Sequence, residues 1–235
     1  PSFSRPSPLR GFVASCAKFR FPARLLRGKN SAHKLPRLRP HIVMRIGLLR
    51  HFPVQEPMPT GWISALELRA WRDRYDRSNT LAGEFDLGGV DWTHCWTSDA
   101  TRTLATARTV FQGHAKPTPL LREVNPGDFA TGSLRLPGLA WQWLLRAAWM
   151  TDHPSQRDAR RELERRIKTL TDQLTVLNEN ILLVSHAGTM AYLSRELLRR
   201  GYQGPKLNIA KPGVAYVYSR GGGRESTNRN QLTLL

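Results

Sequence analysis

Two short apolar segments that both end in histidine place the strongest constraint on the fold of this chain. The first reads "RIGLLRH" at residues 45–51, and the second reads "NILLVSH" at residues 180–186. Continuous apolar runs of this length are typical of strands that are covered on both faces, as in parallel sheets. Segments with helical spacing lie between and after them. We therefore predict an α/β fold, a three-layer sandwich in which helices flank a mostly parallel central sheet.

The other periodic segments continue this alternation. Two more strands are predicted at residues 93–98 and 213–219, and residues 117–138 are predicted to be mostly loop. Apolar residues at helical spacing predict helices over residues 63–77, 99–113, 139–150, 157–177 and 189–201. In the apolar helix at 139–150, Trp141, Trp143 and Trp149 are expected to lie in the core.

The formal net charge of +18 is concentrated near the N-terminus. Residues 1–43 contain ten Lys/Arg and no Asp/Glu, whereas residues 44–219 carry a net charge of only +6, which is ordinary for a soluble domain. We predict a basic, disordered extension at 1–43, a globular domain at 44–219 and a disordered tail at 220–235. The extension is open to three interpretations: a mis-called start or translated upstream sequence, an organelle-targeting segment, or a basic arm that binds an acidic partner.

Several classes of protein are disfavoured by composition. Two cysteines, Cys16 and Cys95, do not make a disulfide framework, and neither has a neighbour at metal-ligand spacing. No apolar run approaches the roughly 20 residues needed to cross a bilayer. We therefore expect a cytoplasmic protein without membrane association, with organelle import as the alternative if the extension is a genuine targeting segment. Nucleic-acid binding through the basic arm is a weaker alternative.

The candidate chemistry lies where the strands end. Arg50 and His51 end the first strand and His186 ends the strand at 180–186, so parallel neighbouring strands would deliver both imidazoles to one edge of the sheet. Arg102 lies in the first turn of the helix predicted at 99–113, where free backbone N–H groups and the helix dipole favour anions. Two arginines and two histidines at one edge predict a pocket for a doubly charged oxyanion, and phosphate is the natural candidate.

Four motifs in order carry a family resemblance: "LLRHF", "TSDATRTLATA", "LLREVNPGDF" and "VSHAGTM". Over residues 44–219 the chain resembles the histidine phosphatase (phosphoglycerate mutase-like) superfamily, and more specifically its compact phosphatase members. The resemblance implies a metal-independent phosphomonoesterase that forms a phosphohistidine and needs no cofactor. The implied substrate is a small phosphorylated metabolite, and the oligomeric state stays open.

Carried over by position, the resemblance assigns a role to each candidate residue. His51 is the implied nucleophile, and Arg50, Arg102 and His186 are the implied ligands of the phosphate oxygens. Glu123 is the implied general acid, which then acts as the base for the hydrolytic water. His186 is counted with His51 and Glu123 as catalytic because it stabilises the charge on the moving phosphoryl group.

The sequence also departs from the family pattern and leaves alternatives open. Phe52 and Pro53 follow the nucleophile where the family has glycine, and Val54 and Pro57 stand where many members place serine and asparagine. A phosphoglycerate-type mutase and a non-catalytic protein that binds a phosphorylated ligand therefore remain alternatives. Two local alternatives concern the other motifs.

In the first local alternative, Asp99 serves only as the N-cap of the helix that carries Arg102. In the second, Arg122 and Glu123 form a solvated pair in a loop, without a catalytic role.

Overall fold

The computed structural model of the protein describes residues 43–127, 132–177 and 179–220. The predicted extension and tail, apart from their boundary residues Val43 and Arg220, lie outside the described residues. Among the residues that are described, no helix is both long enough and apolar enough to cross a membrane.

Seven strands and five α-helices are described. The strands are Met44–Arg50 (β1), Trp62–Ser64 (β2), His94–Thr97 (β3), Ala115–Pro117 (β4), Arg135–Pro137 (β5), Ile181–Ser185 (β6) and Ala215–Arg220 (β7). The helices are Ala65–Arg77 (α1), Thr101–Val110 (α2), Gly138–Met150 (α3), Pro154–Leu177 (α4) and Ala187–Arg199 (α5).

Five of the strands form the central sheet, in the order β4-β3-β6-β1-β7. The pairs β3–β4, β3–β6 and β1–β6 are parallel, and β7 pairs with β1 in the antiparallel direction at the edge. The sheet is therefore mostly parallel, and the predicted α/β class is confirmed. The predicted strands and helices are found with shifts of a few residues at their ends, as expected where helix and strand ends fray.

Both faces of the sheet are covered by apolar side chains, which explains the uninterrupted apolar runs. On one face, Ile46, Leu48, Ile181 and Leu183 pack with the apolar stripes of α4 and α5. On the other face, the alternate residues of the same strands pack with α2 and with the loop that carries Trp92. Because successive strand residues point to opposite faces, each strand contributes to both layers. The result is the three-layer sandwich predicted from the sequence.

The edge strand β4 was not predicted, and two further features also differ from the predictions. Strands β2 and β5 pair as a separate two-stranded antiparallel sheet, which joins the start of α1 to the start of α3. Trp143 is 68% exposed, so its expected place in the core is wrong, whereas Trp141 is fully buried. The two differ because α3 packs on the protein along one stripe only, and the indole N–H of Trp141 donates to the carbonyl of Ile63 at 2.7 Å.

Helix α1 begins with a capping box. The hydroxyl of Ser64 accepts from the backbone N–H of Glu67, and a carboxylate oxygen of Glu67 accepts from the backbone N–H of Ser64. This reciprocal pair satisfies two of the unpaired N–H groups at the helix start. The capping box therefore fixes the residue at which α1 begins. Since the helix is regular, its starting point also determines the directions in which the side chains of its last turn point.

The close packing of Trp92 on β1 yields a test of the sheet. A Cβ atom on Gly47 would lie 2.6 Å from Cη2 of Trp92, so Gly47→Ala overpacks the layer between the sheet and this loop. We expect Gly47→Ala to lower the free energy of unfolding by about 1–3 kcal/mol in urea titrations. In the Trp92→Phe background the same change should cost much less, because the far end of the indole is gone. An equal loss in both backgrounds would contradict this account of the packing.

Candidate active site

The parallel pairing of β1 with β6 brings the two predicted site histidines together. In this register Arg50 lies opposite Ser185, and the backbone N–H of His51 donates to the carbonyl of Ser185 at 3.1 Å. His186 directly follows β6 in the sequence. The imidazoles of His51 and His186 are therefore neighbours, and their ring centroids lie 5.2 Å apart. The prediction that both strands deliver a histidine to the same edge is confirmed.

His51 is held in the form that a nucleophile needs. Its Nδ1 lies 2.6 Å from the carbonyl oxygen of Phe52. Because a carbonyl only accepts hydrogen bonds, Nδ1 carries the proton and Nε2 of the neutral ring keeps its lone pair. The pKa of His51 is lowered to about 4, mainly by burial. The hydrogen bond to Phe52 raises the pKa and so opposes this effect, whereas the charges of Arg102 and Arg50 lower the pKa further. The ring is therefore neutral near pH 7.

His186 lies deeper than His51 and is fully buried. Its Nε2 is 3.0 Å from the hydroxyl oxygen of Ser98, which follows β3 and also accepts from the backbone N–H of Ala100. Burial, followed by the charges of Arg102, His51 and Arg50, holds the pKa of His186 well below 6.5. Ser98 thus fixes one edge of the ring, and Nδ1 remains on the other edge.

The two site arginines are anchored in the same way. Nη1 of Arg50 donates to the carbonyl of Ala210 at 3.0 Å, and Nη1 of Arg102 donates to Oδ1 of Asp76 at 2.8 Å. Arg102 lies in the first turn of α2, as predicted. In both residues one edge of the planar guanidinium is used by the protein, and the opposite edge, formed by Nε and Nη2, remains for another acceptor.

Three buried polar atoms lack a hydrogen-bond partner among the described residues, and all three belong to predicted phosphate ligands. They are Nε of Arg50, Nε of Arg102 and Nδ1 of His186. Buried polar atoms are rarely left unpaired, and such an atom calls for an explanation, for instance an ion that binds there. Two of the three are obligatory donors, so an anion with several oxygens is the ligand that would satisfy them.

Glu123 is held at the N-terminus of α5. Its Oε1 accepts from the backbone N–H groups of Val124 at 2.9 Å and Thr189 at 3.1 Å, and Oε2 makes a longer contact of 3.4 Å with the N–H of Gly188. The carboxylate thereby satisfies N–H groups that the first turn of a helix leaves unpaired. Oε2, with the weaker contact, is the oxygen better placed to exchange a proton.

The backbone before Glu123 is tied to the rest of the site. Ser185 donates its hydroxyl proton to the carbonyl of Leu121 at 2.8 Å, and Thr189 donates to the carbonyl of Arg122 at 2.7 Å. Arg166 of α4 donates to the same Arg122 carbonyl at 3.0 Å. Gly188 permits this arrangement, because a Cβ atom there would lie 2.8 Å from Oε1 of Glu123. The close approach explains the glycine in "SHAG".

Two contacts assumed in the alternatives raised from the sequence are wrong. Asp99 does not cap α2, since the N-cap residue is Ala100 and no side chain makes the capping hydrogen bond. Arg122 does not pair with Glu123: its guanidinium binds the carboxylate of Asp99 with two hydrogen bonds from Nε, at 2.8 and 2.9 Å, and one from Nη2. This ion pair lowers the pKa of Asp99, and it leaves Glu123 facing the helix N-terminus.

Phe52 takes the position where the family has glycine without a left-handed backbone. Its ring is buried in the layer that also holds Leu49 and Trp92, and its backbone N–H donates to the hydroxyl of Thr106 at 3.0 Å. Pro53 uses its carbonyl to accept from the N–H of Leu81 at 2.8 Å. The N–H of Phe52 is thus engaged and Pro53 has none, so neither residue offers a backbone donor to a phosphate, whereas the carbonyl of Phe52 orients His51.

All five predicted site residues, Arg50, His51, Arg102, Glu123 and His186, line one cleft of about 910 Å³. The outer part of the cleft is walled by α1 and α3, with Tyr75, Asp76 and Arg72 on one side and Arg146 on the other. Sequence reasoning missed Ser98 as a partner of His186 and Asp76 as a partner of Arg102. The serine of "SDATR" was a usable signal for the first, but nothing in the sequence indicated that α1 reaches Arg102.

No group of three or more His, Cys, Asp or Glu residues that could hold a metal ion is found within the described part of the chain. Independence from metal remains a prediction. The buried thiol of Cys95, whose pKa is raised by burial to about 12, packs in the core.

Comparison with known proteins defines the family. The sequence profile of the histidine phosphatase superfamily (branch 1) matches residues 78–231, and the chain belongs to this superfamily. The match includes Arg102, Glu123 and His186 and begins after His51. No curated protein matches the sequence.

Solved structures of similar proteins share limited sequence identity with this chain. The α-ribazole phosphatase from Shigella flexneri is 20% identical, with 66% of this chain and 79% of that chain covered and a TM-score of 0.42. A phosphoglycerate mutase from Bacillus anthracis is 15% identical. The alignment covers 75% of this chain and 88% of that chain, with a TM-score of 0.45. A mycobacterial glucosyl-3-phosphoglycerate phosphatase is 20% identical. The alignment covers 67% of this chain and 80% of that chain, with a TM-score of 0.38.

The lowered pKa values of the two histidines predict an acid-sensitive fold. Between pH 6.5 and about 4, His51 is protonated in the unfolded chain and neutral in the folded protein. The contribution of His51 to the free energy of unfolding is therefore fully present above pH 6.5 and is lost as the pH falls towards 4. For His51 the loss amounts to about 3 kcal/mol across this window. We expect His51→Gln and His186→Gln each to flatten the pH dependence of urea unfolding. Equal slopes in the parent protein and in both variants would contradict the assignment.

Proposed function

We propose that the protein is a metal-independent phosphomonoesterase that acts on a small phosphorylated metabolite through a phosphohistidine at His51. The observation that carries the proposal is the set of three unpartnered buried atoms on Arg50, Arg102 and His186. The residues that carry these atoms line the same cleft as the neutral imidazole of His51, whose Nε2 lone pair is the one available for bonding to phosphorus. Membership of the histidine phosphatase superfamily supports the same chemistry.

In the first step, Nε2 of His51 attacks phosphorus and the ester P–O bond breaks. The electron pair of that bond passes to the leaving oxygen, which takes a proton from Glu123. Arg50, Arg102 and His186 bind the phosphoryl oxygens and stabilise the negative charge as the group moves. The negative charge of the bound phosphate raises the pKa of His186, so that the ring becomes a third cationic donor beside Arg50 and Arg102.

In the second step, the Glu123 carboxylate takes a proton from a water molecule whose oxygen attacks phosphorus. The P–N bond breaks, inorganic phosphate is formed and neutral His51 is regenerated. The long contact of Oε2 with Gly188 supports Oε2 as the oxygen that gives and takes this proton. Over the two steps one water is consumed, and no other reactant is required.

The nucleophile is tested with 4-nitrophenyl phosphate and the full chain. We expect turnover that persists in excess chelator and falls by at least about a thousandfold in His51→Ala, since no other group forms the covalent intermediate. Quenching in alkaline detergent during turnover should trap a phosphoenzyme that is stable in base and labile in acid, as a phosphoramidate is, and that His51→Ala lacks. Turnover that survives His51→Ala, or that disappears with chelator, would overturn the mechanism.

The same preparation separates hydrolysis from transfer. We expect release of inorganic phosphate from a phosphoglycerate without formation of its isomer. Isomerisation would establish the mutase alternative. Binding of inorganic phosphate without turnover of any phosphomonoester would establish the non-catalytic alternative.

The role of Glu123 is tested through the leaving group. Loss of a general acid costs roughly 10²–10⁴ in rate when the leaving oxygen needs a proton. We expect Glu123→Gln to show this loss with an alkyl phosphate and a much smaller loss with 4-nitrophenyl phosphate, because nitrophenolate departs without protonation. Thr189→Val serves as a control that changes the contacts of Glu123 but retains its carboxyl group. Equal losses of Glu123→Gln on both substrates would exclude the general-acid role.

A further inference from the structure

We propose that Asp76 is a positioning residue for Arg102 and that its charge limits how tightly the site holds phosphate. The proposal rests on the function proposed above. Asp76 lies in the last turn of α1, outside the motifs that identify the family, and it accepts a hydrogen bond from Arg102.

The contact is asymmetric in its exposure. The side chain of Arg102 is only 4% exposed, whereas that of Asp76 is 62% exposed and lines the cleft. The two are joined by one hydrogen bond of 2.8 Å from Nη1 to Oδ1. The preceding residue, Tyr75, lies beside the guanidinium, with 5.2 Å between Cζ of Arg102 and the ring centroid. Two consecutive residues of α1 thus fix both the edge and the face of a buried cation.

This anchoring determines which edge of Arg102 meets the substrate. With Nη1 committed to Asp76, the unpartnered Nε and the adjacent Nη2 form the fork that suits two oxygens of one phosphate. If Asp76 were absent, the guanidinium would lose the acceptor that sets its rotation. A displacement of about 1 Å at such a group can cost on the order of a hundredfold in rate.

The anchor of Arg102 also differs in charge from that of Arg50. Arg50 is held by the neutral carbonyl of Ala210, and Arg102 is held by a carboxylate. Both histidines are neutral in the free site, so the arginines supply its positive charge, and Asp76 offsets part of it. A phosphate ion therefore binds more weakly than it would to the same geometry without this carboxylate. Weaker product binding favours release of inorganic phosphate after each turnover.

Three variants of the full chain separate position from charge. Asp76→Asn retains an oxygen acceptor for Nη1 and removes the charge, whereas Asp76→Ala removes both. Asp73→Asn is the matched control, because Asp73 lines the same wall of the cleft one turn earlier and Arg102 pairs with Asp76 instead. Each variant is measured for phosphate affinity by calorimetry, for kcat and KM on 4-nitrophenyl phosphate, and for folding by thermal unfolding.

For Asp76→Asn we expect phosphate to bind about three- to tenfold more tightly, with kcat/KM within about threefold of the parent protein. For Asp76→Ala we expect weaker phosphate binding and a kcat/KM lower by about ten- to a hundredfold. Asp73→Asn should stay close to the parent protein in both. A merely structural role would lower the thermal stability of both Asp76 variants without moving phosphate affinity in opposite directions.

Two results would overturn the inference. One is phosphate affinity that is unchanged, or changed in the same direction, in Asp76→Asn and Asp76→Ala. The other is a gain in phosphate affinity in Asp73→Asn that equals the gain in Asp76→Asn. That result would mean that any carboxylate on this wall of the cleft weakens phosphate binding, without a particular role for Asp76. Because calorimetry requires no turnover, a parent protein that binds phosphate but does not hydrolyse esters would overturn the proposed function and still test Asp76.

Discussion

The parallel register of β1 on β6 is the constraint on which the site depends. Placing Arg50 opposite Ser185 sets His51 beside His186, and a shift by one residue would turn every side chain of the strand to the other face. Both faces of these strands are buried. Such a shift would therefore place Gly47 in the layer that Leu48 now occupies, and Leu48 in the layer that Gly47 now faces. The apolar core therefore enforces the spacing of the two imidazoles, and folding and chemistry are specified by the same side chains.

Around that pair lie three buried polar atoms that have no hydrogen-bond partner among the described residues. Desolvation and the neighbouring arginines keep the two buried histidines neutral, and each arginine is fixed through Nη1 while its Nε is one of these unpartnered atoms. The free site thus contains unpaired donors, which cost stability in the absence of a ligand. In the proposed reaction such preorganised donors would not have to reorient when charge develops on the moving phosphoryl group. The cost in the free protein and the benefit in the proposed reaction would then have the same origin.

The sequence was informative wherever an interaction is local or repeats along an element. Apolar runs and helical spacing predicted the main strands and helices, and residues at strand ends gave Arg50, His51 and His186. Interactions between distant segments were not predictable in this way. The pairing of β2 with β5, the bond from Ser98 to His186 and the reach of Asp76 to Arg102 each depend on how elements are placed in space. The exposure of Trp143 and the pairing of Asp99 with Arg122 were missed for the same reason, since composition does not reveal which face of a helix or loop is covered.

The ring of Phe52, which follows His51, shows how the fold accommodates a departure from the family pattern. A Cβ atom on Gly83 would lie 3.0 Å from the ring of Phe52, and one on Gly213 would lie 3.1 Å from it and 2.4 Å from the carbonyl of Glu84. Gly83 and Gly213 thus leave room for the aromatic ring at position 52, and Gly213 also has a φ of 73°, which favours glycine. Restoring glycine at position 52 alone would therefore leave a void beside these two glycines.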